Sequence, residues 1–329
     1  MPPRHTTLNL PRRHVLGLAL ASLGLPSARA QAANVIDDSW SDPARGRELP
    51  LRLRFPDPAM PSPAQGRAVV LFSHGLGGTR AGGAVWGEAW AAAGFVVVHL
   101  QHPGSDTAAL RTGLRRAASP QQLLARLDDV RFVLDEMDRR RLAGEAGWAT
   151  TRTGRVGLSG HSFGAHTTLG MAGQAWPGRA PIDEPRLAAF VAMSPTLPQA
   201  GDARQAFATI RRPLLCLTGT RDGDVIGNGA TPERRAAVFD ALPPGYKAQL
   251  VLQDADHMSF AGQTSETGAR RLQLLRQDPT ARELLPRHHA LVAALTTDWW
   301  RTHLLGDTAA RERLVQPAGL STGDLWQQG

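Results

Sequence analysis

Apolar and polar residues alternate from Asn34 to Trp40 and again from Glu48 to Phe55, on either side of the turn-rich Ser41-Asp42-Pro43-Ala44-Arg45-Gly46. That pattern predicts an antiparallel hairpin. Beyond the proline-studded Asp57-Pro58-Ala59-Met60-Pro61-Ser62-Pro63 the rhythm changes to short apolar runs: Ala68 to Phe72, Phe95 to His99, Arg155 to Ser159, Leu187 to Met193, Pro213 to Leu217 and Lys247 to Leu252. Runs of this kind suit parallel strands covered on both faces. Between them lie helical stretches from about Ala81 to Ala93 and from Ser119 to Arg140. In the second, Leu123, Leu124, Leu127, Val130, Leu134 and Met137 recur at helical spacing behind an N-cap serine and first-turn proline. Its acids and arginines are expected on the outer face. A last helix, Pro286 to Leu305, carries Leu291, Leu295, Trp299 and Trp300, expected to pack against the sheet. Strands alternating with helices specify an α/β fold, a mostly parallel central sheet opened by the hairpin and wrapped on both faces.

The first thirty residues stand apart. Arg12-Arg13 precede the apolar run Val15 to Leu25, then Pro26 and the small-residue pattern Ala28-Arg29-Ala30, which together predict a twin-arginine-like signal peptide over 1–30. The expected location is therefore periplasmic or secreted, with residues 31–329 as one catalytic domain. The apolar run is too short to span a bilayer. The leader holds four arginines and no acid, so its removal lowers the net charge from +8 to +4. The remaining arginines are scattered, without a basic stripe, which argues against a nucleic-acid partner. Cys216 is the one cysteine, within the apolar Pro213-Leu214-Leu215-Cys216-Leu217, so it is expected to be buried and no internal disulfide is possible.

Candidate chemistry centres on Gly160-His161-Ser162-Phe163-Gly164, set between an apolar strand and an Ala/Leu/Met-rich helix. This is the strand-turn-helix context of a nucleophile elbow, and it makes Ser162 the candidate nucleophile. A serine hydroxyl needs a base, and the base a carboxylate, each supplied in this architecture by a loop that leaves a later strand. His257, on the loop after Lys247 to Leu252, is the candidate base. Asp222 and Asp224 compete as the acid; Asp222 is favoured because it comes soon after its strand ends. Asp254 and Asp256 lie too near His257 in sequence to reach its ring and are expected to shape its loop. The oxyanion donors are expected to be the backbone amides of Phe163 and of Leu76, the latter within Gly75-Leu76-Gly77-Gly78, where glycines permit close approach. Gly75, His102 and Met258 are the expected substrate-lining positions. His99 and His102 lack a third ligand nearby in sequence, so no metal is expected, and the chemistry needs no cofactor.

Phe72-Ser73-His74-Gly75-Leu76-Gly77, Gln101-His102-Pro103-Gly104-Ser105-Asp106, the elbow, Thr218-Gly219-Thr220-Arg221-Asp222 and Ala255-Asp256-His257-Met258-Ser259-Phe260 together resemble the α/β-hydrolase superfamily. Within it the chain is similar to the group that joins platelet-activating-factor acetylhydrolases with predicted dienelactone hydrolases. The resemblance implies a serine ester hydrolase with Ser162, Asp222 and His257 as triad, acting on a small-molecule or lipid ester, and strengthens Asp222 over Asp224. The elbow departs from many relatives in having Ala165 and His166 after Gly164, and its serine sets aside the cysteine chemistry of true dienelactone hydrolases. Rival expectations are a phospholipid acetylhydrolase, an amidase or peptidase with the same triad, and a noncatalytic binding protein. The short Pro195 to Arg211 connection leaves no room for a large cap.

Overall fold

The apolar runs assemble into one nine-stranded sheet, in the order β1-β2-β4-β3-β5-β6-β7-β8-β9. The computed structural model describes Met1 and residues 34–263 and 277–329. The expected leader lies outside the described residues. Residues Ala32–Gly329 form one compact unit.

The hairpin pairs β1 (Asn34–Asp42) with β2 (Arg47–Phe55), and β2 joins the rest antiparallel to β4 (Val96–Leu100). From there β3 (Arg67–Ser73), β5 (Thr151–His161), β6 (Leu187–Met193), β7 (Leu214–Arg221) and β8 (Lys247–Asp256) run parallel. An edge strand, β9 (Leu325–Gln328), pairs antiparallel with β8. Sequence pattern missed it, because four residues with two glutamines carry too little periodicity; the Trp326 indole, bonded to the Leu314 carbonyl, anchors it.

Ten α-helices are placed among the described residues: α1 (Ala84–Ala92), α2 (Thr107–Leu110), α3 (Leu114–Ala117), α4 (Pro120–Leu142), α5 (Phe163–Ala172), α6 (Ala203–Phe207), α7 (Pro232–Ala236), α8 (Val238–Ala241), α9 (Pro279–Trp300) and α10 (Thr308–Val315). They cover both faces, and the strands divide their side chains between two cores. Val69 and Leu71 join Leu127, Val130, Leu134 and Leu169 on one side. Val70 and Phe72, one residue out of step, join Trp86, Trp90, Leu295 and Trp300 on the other. Trp299 and Trp300 are core residues as expected; the Trp300 ring meets Trp90 edge-on at 5.8 Å. Cys216 is fully buried, and desolvation pushes its thiol up to about 12.

Two helices differ from the expectation. α9 starts seven residues before Pro286, because Asp278 caps the amides of Thr280 and Ala281 and Pro279 occupies the first turn. Helix α4 does not turn all its charges outward: Arg126 and Asp129 are fully buried. Both lie on the helical repeat of the inward residues Val130 and Val133.

Candidate active site

Parallel strands place their following loops along one edge of the sheet, and the three candidate side chains arise there. Ser162, Asp222 and His257 are each the first residue past a strand, β5, β7 and β8. Ser162 takes φ 56° and ψ −113°, left-handed backbone that a serine adopts only under tertiary constraint, and it opens α5. The bend requires bare neighbours. A Cβ on Gly164 would run into the Ser73 carbonyl, and one on Gly160 into the backbone of Gly164.

The Ser162 hydroxyl lies 2.9 Å from His257 Nε2, and His257 Nδ1 lies 2.8 Å from Asp222 Oδ1. In the tautomer this requires, Nδ1–H donates to the carboxylate and Nε2 accepts from the serine. Asp222 is fully buried; Thr218 Oγ1 donates to its Oδ2 at 2.9 Å, and Arg235 Nε sits 2.9 Å from Oδ1. Burial works to raise its pKa, but the His257 hydrogen bond and the Arg235 charge outweigh that and hold it below the ordinary value. Arg235 also donates to the carbonyls of Asp222 and Ser194, at 2.9 and 2.7 Å, so it fixes the acid's loop as well as its charge. Nothing in the sequence pattern singled it out beyond an arginine in a short helix.

Asp224 is turned away. Its carboxylate accepts from the amides of Ile226, Gly227 and Gly229 in an exposed loop. Asp256 forms a capping box with Ser259 around the turn that begins at His257 and also accepts from the Asp278 amide at 2.9 Å; Asp254 pairs with Arg221. Each shapes the His257 loop or its surroundings. His161 was not anticipated as a contributor. Its Nε2 donates to the His257 carbonyl at 2.9 Å and its ring stacks 4.7 Å from the His257 ring. Burial and the neighbouring His257 pull its pKa down to about 3, so it serves as a neutral donor.

Gly75 abuts the elbow: a Cβ there would meet Ser162 Cβ at 3.4 Å. Leu76 follows it, and neither the Leu76 nor the Phe163 N–H has an acceptor among the described residues. Met258 is half-buried, next to His257. His102 departs from its expected lining role. It is fully buried behind β3, with Nε2 2.9 Å from Ser73 Oγ and Nδ1 2.9 Å from Asp129 Oδ2, so it supports the loop from within. Desolvation, then the nearby Arg126 charge, lowers its pKa to about 4 and keeps it neutral. His99 is likewise enclosed, its Nδ1 2.9 Å from the Gly82 carbonyl. Among the described residues no group of three or more His, Cys, Asp or Glu side chains is placed to hold a metal.

No protein-family model and no curated protein matches this sequence. Among solved structures, a ferulic acid esterase from Streptomyces cinnamoneus superposes with a TM-score of 0.54 at 19% identity, over 86% of this chain and 93% of that one. That likeness bears on the fold, and the sheet order and crossovers agree with it: the chain has the α/β-hydrolase fold.

Proposed function

We propose that the protein is a serine carboxylic ester hydrolase. The observation that carries this reading is the unbroken line of hydrogen bonds from Ser162 Oγ through His257 to a buried, ionised Asp222. As Ser162 Oγ bonds to the ester carbonyl carbon, its proton passes to His257 Nε2 and the carbonyl π pair moves onto oxygen. The Leu76 and Phe163 amides receive that oxyanion. Collapse breaks the bond to the alkoxide, which takes the proton from Nε2. Water, deprotonated by the same nitrogen, then bonds to the acyl carbon; the bond to Ser162 Oγ breaks, Oγ takes the proton back from Nε2, and the acid leaves.

The reading extends to substrate and place. The β6–β7 connection contains only the short α6, which favours short-acyl or bulky esters over long triglycerides. The leader motif supports export to the periplasm or beyond. Among the described residues no helix is long and apolar enough to cross a membrane.

A fluorophosphonate probe is expected to label the wild-type chain and to leave Ser162→Ala unlabelled; equal labelling of both would sink the proposal. A panel then sorts substrates: p-nitrophenyl esters of rising acyl length, a feruloyl ester, a phospholipid with a short sn-2 acyl group, and matched amides. Esters with short acyl chains are expected to turn over fastest and amides slowest.

A further inference from the structure

Behind the elbow lies a buried cation that the triad does not use. Arg126 is fully buried on α4; its Nε donates to Ser105 Oγ at 2.8 Å and its Nη1 to the His74 carbonyl at 2.8 Å. The guanidinium carbon stands 4.4 Å over the Phe163 ring. No carboxylate among the described residues forms an ion pair with it. Asp129 and Asp106 act on Arg126 only at longer range, while the Asp129 carboxylate is engaged by Arg45, Arg47 and His102. A charge buried without a contact counter-ion is costly to fold around, so such a group calls for a compensating role.

What Arg126 touches suggests that role. His74 Nε2 accepts from the His102 amide at 3.0 Å, so its Nδ1 carries the proton and donates to the Gly75 carbonyl at 2.6 Å. The Gly78 amide donates to the same carbonyl at 3.0 Å. That carbonyl belongs to the peptide whose N–H is the Leu76 donor, so its direction is set by His74, and His74 is held by Arg126. On the other side the guanidinium rests on the side chain of Phe163, the residue of the second donor. One side chain therefore touches both segments that supply the oxyanion donors.

Resting on the ester-hydrolase reading, we propose that Arg126 is the positioning residue of the oxyanion hole: held between the His74 carbonyl and the Phe163 ring, it aims the Leu76 and Phe163 amides, and its charge favours the tetrahedral oxyanion over the neutral ester. A lysine cannot reproduce both contacts, because it lacks the planar fork and the ring-stacking face.

The test uses the full chain with Arg126→Lys, Arg126→Met and the milder Ser105→Ala, which keeps the guanidinium and removes the acceptor of Nε together with the hydroxyl's bond to the His102 carbonyl. The readouts are kcat and KM on p-nitrophenyl acetate, and the affinity of a trifluoromethyl ketone, whose adduct carries the oxyanion, against that of the matched methyl ketone. Loss of one oxyanion donor costs on the order of 10²–10³ in kcat; misaiming both is expected to lower kcat at least about tenfold in the Arg126 variants and less in Ser105→Ala. KM and methyl ketone affinity are expected to hold within about twofold, while trifluoromethyl ketone affinity falls with kcat. Folded variants with wild-type kcat and wild-type trifluoromethyl ketone affinity, or a loss confined to KM, would overturn the role. If neither Arg126 variant folds, Ser105→Ala decides by the same readouts. A wild-type chain that neither hydrolyses the ester nor labels at Ser162 fails the hydrolase reading itself and takes this proposal with it; active wild type with unaffected variants removes Arg126 alone.

Discussion

Asp222 and Asp224 stand two residues apart and do different work. The first is buried, bonded by His257 and Thr218 and ion-paired with Arg235, whereas the second is spent on the amides of its own exposed turn. Asp222→Asn would leave His257 in the wrong tautomer, and a kcat loss on the order of 10⁴ is expected, by analogy with the same change in another serine hydrolase triad. Asp224→Ala is expected to stay within several-fold of wild type. Steady-state kinetics on one ester compares them, and equal losses would contradict the assignment. Cys216 gives a second check at this scale. Buried, with its thiol held up to about 12, it is expected to ignore a disulfide thiol reagent in the native protein and to react once the chain is unfolded in urea. Spacing could bring the acid down to two candidates; which carboxylate faces inward depended on how the loop after β7 folds back on α7.

At the scale of elements, the site depends on how closely α9 and the turn after it lie on β5. A Cβ at Gly157 would stand 2.8 Å from Trp300 Cζ3 and 3.2 Å from Leu304, against a rigid indole that cannot swing aside. Gly157→Ala is therefore expected to destabilise the fold by about 1–3 kcal/mol through overpacking, read from the midpoint of urea unfolding. An unchanged midpoint would mean that the helix has room to retreat. Element identity was mostly legible because the apolar runs and the helical repeats differ in period. The start of α9 was less so: Asp278-Pro279 and Pro286 both look like openings, and the Asp278 side chain's two capping bonds favour the earlier one. Arg126 and Asp129 were assigned to solvent by their charge, although their positions on the helical repeat matched the buried face.

For the molecule as a whole, the buried histidines set the response to pH. Desolvation pulls His99 and His161 down to about 3 and His102 to about 4, against an ordinary value of 6.5. Between those values and 6.5 the unfolded chain binds protons that the folded chain refuses, so stability is complete above that window and is lost as pH falls through it. Urea midpoints measured from pH 8 to pH 4 are expected to be level at first and then to decline from about pH 6.5. A midpoint that rises on acidification would show that these rings take up protons in the fold. By itself the sequence determined the alternation of strand and helix, the elbow around Ser162 and the order of the loops bearing Asp222 and His257, because periodicity and chain order are local properties. Tertiary structure alone decided that Asp222 rather than Asp224 meets His257, that His102 lies behind the site, and that Arg126 reaches both the His74 carbonyl and the Phe163 ring. Those outcomes turn on which residues distant in sequence share one buried, low-dielectric volume, where an unpartnered polar group is too costly to keep.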